Sequence, residues 1–245
     1  MKRELLVCAV LGAVSFQGCV NSPQEEQENT KDGSAGTVAH EVYTMGSALV
    51  EIQDQDEGLA KVLTAVSETT TVDIVVDQWH YDSTAEAWLR TVVADVDRGT
   101  RTRYDTVKLY DASGQSLRSA ALADVARYIH IRTVEGRYAH NFDYRFEMTG
   151  VLENTDEQTL VTLNGVFDGS FEGTSFTGSS VNDVVVSLIP LNPFPLSGTV
   201  SFDRPLREIE IVFTGDNTAT ASTTRRPSGI TRTFELSLTT GQETE

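Results

Sequence analysis

The chain has only two thiols, Cys8 and Cys19, and both lie near its beginning. Cys8 falls inside a short apolar run over residues 5–16 that follows Lys2 and Arg3, and Cys19 comes just after that run. A positively charged start followed by about a dozen apolar residues is typical of a secretory signal, whereas a membrane-spanning helix needs about 20. The exported domain beyond these residues therefore contains no thiol and no disulfide.

The residues around the second cysteine, Phe16-Gln17-Gly18-Cys19, resemble the lipobox of bacterial lipoproteins. In that family a small residue precedes a cysteine that is lipidated and becomes the first residue of the mature protein. The family favours Leu at the first position and a small residue at the second, where this chain has Phe16 and Gln17. The resemblance covers the leader alone. It implies a signal peptide over residues 1–18 and a lipid on Cys19.

The same resemblance implies a location in the cell envelope, anchored in the membrane through the lipid. Several acyl chains on one terminal cysteine give stable anchoring, where a single chain is marginal. An Asp directly after the cysteine favours inner-membrane retention in enterobacterial lipoproteins, and here Val20 follows. The outer membrane is therefore expected if the cell has two membranes. The alternative is an ordinary signal peptide whose cysteine falls near the cleavage site.

The charge of the chain limits its partners. It carries 36 acidic and 19 basic side chains, a net charge of −17. Because such a chain is repelled by phosphate backbones and anionic head groups, we expect no nucleic-acid partner. Residues 19–36 are rich in Gln, Glu, Ser and Gly and poor in apolar side chains, which predicts a disordered acidic tether. Residues 37–245 then form a single β-rich domain.

The first part of that domain has the period of a helix. Apolar residues recur at intervals of three and four at Val38, Val42, Met45, Leu49 and Ile52. A second stripe of the same kind follows at Leu59, Val62, Leu63 and Val66. These stripes predict short amphipathic helices that need an apolar partner surface.

Beyond residue 70 the period changes to two, which predicts strands with one dry and one wet face. The clearest row is Tyr138, His140, Phe142, Tyr144, Phe146 and Met148. About nine or ten strands are expected, near residues 72–81, 87–96, 101–111, 127–134, 137–152, 158–173, 176–189, 196–203, 207–215 and 230–239. The predicted fold class is mainly β (α+β): a long curled antiparallel sheet holding the N-terminal helices on its concave face. A closed antiparallel β-barrel is the alternative.

One segment alternates glycines with phenylalanines on a single face. It comprises Gly165, Phe167, Gly169, Phe171 and Gly173. In one interpretation the glycines leave a hollow for an apolar ligand, lined by Phe167 and Phe171. In the other, which we favour, the glycines let the sheet coil and the rings cover them.

Other chemistry has weak support in the sequence. The spacing of the four histidines is not that of metal ligands; they are His40, His80, His130 and His140. The acids near Asp54 and Asp168 lack the pattern of a calcium-binding loop. No metal or other cofactor is therefore expected. No nucleophile elbow or phosphate-binding loop occurs. Trp79 and Trp88 flank a predicted hairpin at residues 83–86, where stacking across the pair is favoured over a sugar-binding platform.

Three classes of function remain. The first is a membrane-tethered extracytoplasmic lipoprotein with a non-catalytic structural or binding role, whose partner would be an envelope protein. The second is a carrier of a lipid or another apolar small molecule in the concave face of the sheet. The third is an envelope hydrolase, whose catalytic residues would have to come together from distant strands.

Overall fold

The structure is a computed structural model, and it describes residues 33–46, 48–56, 73–76, 78–96, 99–119, 121–136, 142–155, 157–171, 174–189, 194–238 and 243–244. Two helices come first, α1 (Gly33–Gly46) and α2 (Ala48–Asp56). The strands are β1 (Asp73–Val76), β2 (His80–Asp82), β3 (Ala87–Val96), β4 (Gly99–Tyr110), β5 (Ser116–Leu117), β6 (Arg127–Gly136), β7 (Phe142–Asn154), β8 (Thr159–Phe171), β9 (Thr174–Ser175), β10 (Thr177–Ile189), β11 (Ser197–Arg204), β12 (Arg207–Phe213), β13 (Thr218–Arg225), β14 (Ile230–Ser237) and β15 (Glu243–Thr244).

All the strands belong to one antiparallel sheet. Twelve of them follow each other across it in chain order, from β1 at one edge to β15 at the other, while the short β2, β5 and β9 pair beside this path. Such a meander results when neighbouring strands are joined by short turns. In the described part of the chain the sheet is open, and the predicted fold class is confirmed in its curled-sheet form rather than as a closed barrel.

The alternation of the sequence decides which face of each strand is dry. In β7 the side chains of Tyr144, Phe146 and Met148 are buried, while the charged residues between them are exposed. This confirms the predicted row for these three residues. Tyr138 and His140 of the same row lie outside the described residues.

The helices cover the dry face. Their buried side chains are Ala35, Val38, Ala39, Val42, Met45, Ala48, Leu49 and Ile52, which join the main core. Helix α1 contacts strands from β4 to β12, which are six strand spacings apart, or about 29 Å across a flat sheet. A helix of 14 residues is only about 21 Å long. The sheet must therefore curl around the helix.

The structure differs from the sequence expectation at helix α1 and at strand β13. Helix α1 begins at Gly33, so residues 33–36 of the predicted tether are helical, and Ala35 is buried in the core. Strand β13 was not predicted, since its dry face carries only small residues such as Ala219 and Ala221. The second predicted helical stripe, residues 59–66, lies outside the described residues. Neither described helix is long and apolar enough to cross a membrane.

Candidate functional site

The ring of Phe167, proposed above as a possible ligand contact, is surrounded by other rings. It is stacked on Phe146 at 4.7 Å between ring centroids and meets Phe202 and Phe176 edge-on at 5.5 and 6.0 Å. Only 3% of Phe167 is exposed. These contacts are the ones expected of an ordinary core residue.

The glycines on the same face lie against the backbone of β7. A Cβ atom added at Gly165 would lie 2.3 Å from the carbonyl oxygen of Glu147, and one added at Gly169 would lie 2.4 Å from that of Asp143. Glycine is therefore needed for the close approach of β7 and β8, which fits the coiling interpretation. The side chain of Phe171 and all of Gly173 lie outside the described residues, and so does Cys19.

The two tryptophans have packing roles. Each is 6% exposed, too little for a sugar-binding platform. Residues 83–86 form the predicted hairpin turn, but the residue opposite Trp88 is Tyr81, whose ring it meets at 5.7 Å. Trp79 instead lies against the guanidinium group of Arg90, 4.3 Å from the ring centroid.

The most concentrated chemistry in the described residues is a buried charged cluster on the dry face, centred on Asp105 of β4. Its Oδ1 accepts from Arg132 Nε at 2.6 Å and lies 2.9 Å from His130 Nε2. Its Oδ2 accepts from Arg90 Nη2 at 3.1 Å and lies 3.2 Å from Arg103 Nε. One carboxylate thus faces three guanidinium groups and an imidazole. Together with Glu41 and Glu51, these residues are called the Asp105 network below.

Cross-strand pairing positions these groups. Arg90, Asp105 and Arg132 lie directly opposite one another on β3, β4 and β6. They form one row perpendicular to the strands, and Phe146 of β7 and Phe167 of β8 continue that row. The ionic cluster and the aromatic cluster are therefore neighbours on the same dry face.

Helix α1 contributes one glutamate to the network. Glu41 Oε2 accepts from Arg132 Nη1 at 2.7 Å, and Glu41 Oε1 accepts from the hydroxyl of Tyr144. The same Arg132 nitrogen donates to Thr44 Oγ1 at 2.6 Å. Arg101 of β4 lies 3.9 Å from Glu41 and donates to the Tyr144 hydroxyl at 2.8 Å.

Helix α2 contributes the other glutamate. Glu51 Oε2 accepts from Arg90 Nη1 and, at 3.3 Å, from Trp79 Nε1. Each helix is thereby connected to the sheet by an arginine that also binds Asp105. The network joins α1, α2, β3, β4 and β6.

The balance of burial and charge fixes the ionisation of the network. Burial opposes the charge on Asp105, but the guanidinium groups of Arg132 and Arg103 outweigh it and hold the pKa of this carboxyl well below its usual value. Burial also opposes the charge on Arg132, yet Asp105 and Glu41 raise its pKa. For His130 burial prevails over the hydrogen bond with Asp105, and the pKa of the imidazole is lowered.

A carboxylate hydrogen-bonded to a histidine suggests a catalytic dyad, but here the histidine is not accessible to a substrate. His130 is completely buried, and its second ring nitrogen, Nδ1, lies 3.4 Å from the backbone carbonyl oxygen of Met45. In a nucleophilic triad that second nitrogen faces a hydroxyl or thiol. The His130–Asp105 pair is therefore arranged for structure rather than for proton transfer to a substrate.

The sequence reasoning treated His130 only as a poor metal ligand and missed the rest of the network. Among the described residues, no group of three or more His, Cys, Asp or Glu side chains is arranged to hold a metal ion. Comparison of the chain with protein-family models, with curated proteins and with solved structures gave no match.

Proposed function

We propose that this chain is an extracytoplasmic lipoprotein, tethered to a membrane of the cell envelope through Cys19 and serving a non-catalytic structural or binding role. The observation that carries the proposal is the apolar run that ends in Gly18-Cys19. The strongly acidic charge supports a lipid anchor, since anionic membranes repel a chain of net charge −17.

The connection between α1 and the sheet supports a tethering role. α1 is the first described element after Cys19, so any pull on the anchor reaches the domain through this helix. Its Glu41 and Thr44 both bind Arg132, and its apolar stripe is buried in the core. These contacts connect the helix nearest to the proposed anchor directly to the sheet.

The closed geometry of the buried acid–histidine pair favours the non-catalytic role. The one buried acid–histidine pair among the described residues, Asp105 with His130, has a backbone carbonyl where a nucleophile would lie. The aromatic cluster around Phe167 is closely packed, which gives the carrier alternative less support.

The proposal is tested by growing cells with a labelled fatty acid. The wild type should incorporate label and sediment with membranes, whereas Cys19→Ser should lose both properties. Cys8→Ser is the matched control, because Cys8 lies within the apolar run and its loss should leave labelling unchanged. Unlabelled, soluble wild-type protein would contradict the assignment.

A second experiment separates the structural role from the carrier alternative. Organic-solvent extracts of the purified protein, which contain non-covalently bound lipid but not acyl chains attached to Cys19, are measured by mass spectrometry. The proposed role predicts no stoichiometric apolar molecule in the extract. A lipid that co-purifies with the wild type and is lost in Phe167→Ala would favour the carrier instead.

A further inference from the structure

Arg103 differs from the other two arginines around Asp105. Arg90 and Arg132 each have a second carboxylate, supplied by a helix glutamate. The only ion pair of Arg103 in the described part of the chain is with Asp105. Its Nε lies close to that carboxylate but outside hydrogen-bonding geometry, so it has no acceptor there.

Asp105 cannot complete the hydrogen bonding of Arg103. Its two oxygens already accept from Arg90 and Arg132, and His130 contacts one of them. Burial, followed by repulsion from Arg132, lowers the pKa of Arg103 to about 10. Among the described residues Arg103 therefore shares its one ion-pair partner, Asp105, with two other arginines, and Glu41 attracts it without forming an ion pair with it.

The position of Arg103 makes it reachable from solvent. Its side chain is 20% exposed, whereas the side chains of Asp105 and Arg132 are 0% exposed. One terminal nitrogen of Arg132, Nη2, is also buried without an acceptor. The network therefore has one buried, unused donor on each of two arginines, Nη2 of Arg132 and Nε of Arg103, and of these two side chains only that of Arg103 reaches solvent.

We propose that Arg103 binds a small oxyanion, the carboxylate or phosphate group of a free solute, that enters from this margin. A guanidinium group matches both anions because its paired N–H groups bind two oxygens at once. The net charge of −17 favours a small ion, since an extended polyanion or an anionic membrane would be repelled by the rest of the chain. This site does not depend on lipidation of Cys19.

The test measures the melting temperature of the purified protein with phosphate and, separately, acetate, each at constant ionic strength set with sodium chloride. A ligand that binds only the folded state at ten times its Kd should raise the melting temperature by about 3–6 °C, and above Kd the rise should grow with the logarithm of the anion concentration. The anion with the lower Kd identifies the preferred group.

Three variants decide whether Arg103 is the site. Arg103→Met should abolish the rise in melting temperature, and Arg103→Lys, which keeps the charge but not the paired donors, should weaken affinity at least tenfold. Arg226→Met is the control, because Arg226 is exposed and already pairs with Asp203 and Glu208. No rise in the wild type beyond that in sodium chloride alone, or a rise in Arg103→Met equal to that of the wild type, would overturn the proposal.

Discussion

Replacing Asp105 by Asn should strongly destabilise the protein. Asn has nearly the same volume, so packing is kept while three guanidinium groups lose their shared carboxylate. Breaking a buried ion pair by removing one partner costs about 3–5 kcal/mol. That loss corresponds to a melting temperature lower by about 6–20 °C in a domain of this size.

The assay is urea unfolding at pH 7, followed by circular dichroism. Asp168→Asn is the control, because Asp168 is exposed on the opposite face, and its replacement should change the free energy of unfolding by no more than about 0.5 kcal/mol. A loss below about 1 kcal/mol for Asp105→Asn would refute the reasoning that this carboxylate holds the network together.

The pH dependence provides a second readout of the same substitution. Because the pKa of Asp105 is lower in the folded than in the unfolded chain, its contribution to stability is complete above the unfolded value of about 3.9. The contribution is lost as the pH falls from there through the folded pKa. The difference in stability between wild type and Asp105→Asn should therefore narrow in acid.

Three further outcomes are expected. Arg132→Met should lower the free energy of unfolding in urea by about 3–5 kcal/mol, because two buried acids lose their partner. Arg103→Met should stay within about 1 kcal/mol of the wild type, and equal losses in the two variants would contradict the different roles of these arginines. Burial lowers the pKa of His130 in the folded protein, so the contribution of this histidine to stability is complete above its unfolded pKa of about 6.5 and is lost at lower pH, at up to about 1.4 kcal/mol per pH unit. His130→Gln should remove this pH dependence of stability, whereas His80→Gln, at an exposed position, should keep it. Gly169→Ala should cost about 1–3 kcal/mol in the same assay, because its Cβ would meet the β7 backbone; an unchanged stability would contradict the close approach.

Period and turn signals predicted most of the strands correctly. β3 has the predicted bounds, because Ala87–Val96 is rich in apolar residues and is preceded by a turn at residues 83–86. β13 was not predicted, because Thr residues alternate there with Ala219 and Ala221, and the two faces differ little in hydrophobicity. Alternation therefore identifies a strand only where the dry face carries large side chains.

The Asp105 network could not be assembled from the sequence, because its partners are distant along the chain. Glu41 and Arg132 are 91 positions apart, and only the packing of α1 on the dry face of the sheet brings them together. One local signal was present. Asp105 lies in phase with Val107 and Leu109, so a charge on the dry face of a strand pointed to a buried partner.

The most direct test of the proposed function is the mass of the amino-terminal peptide of the mature protein isolated from membranes. The account predicts a peptide that begins at Cys19 and carries acyl chains on that residue. A mature protein that begins at another residue, or a Cys19 with a free thiol, would contradict it.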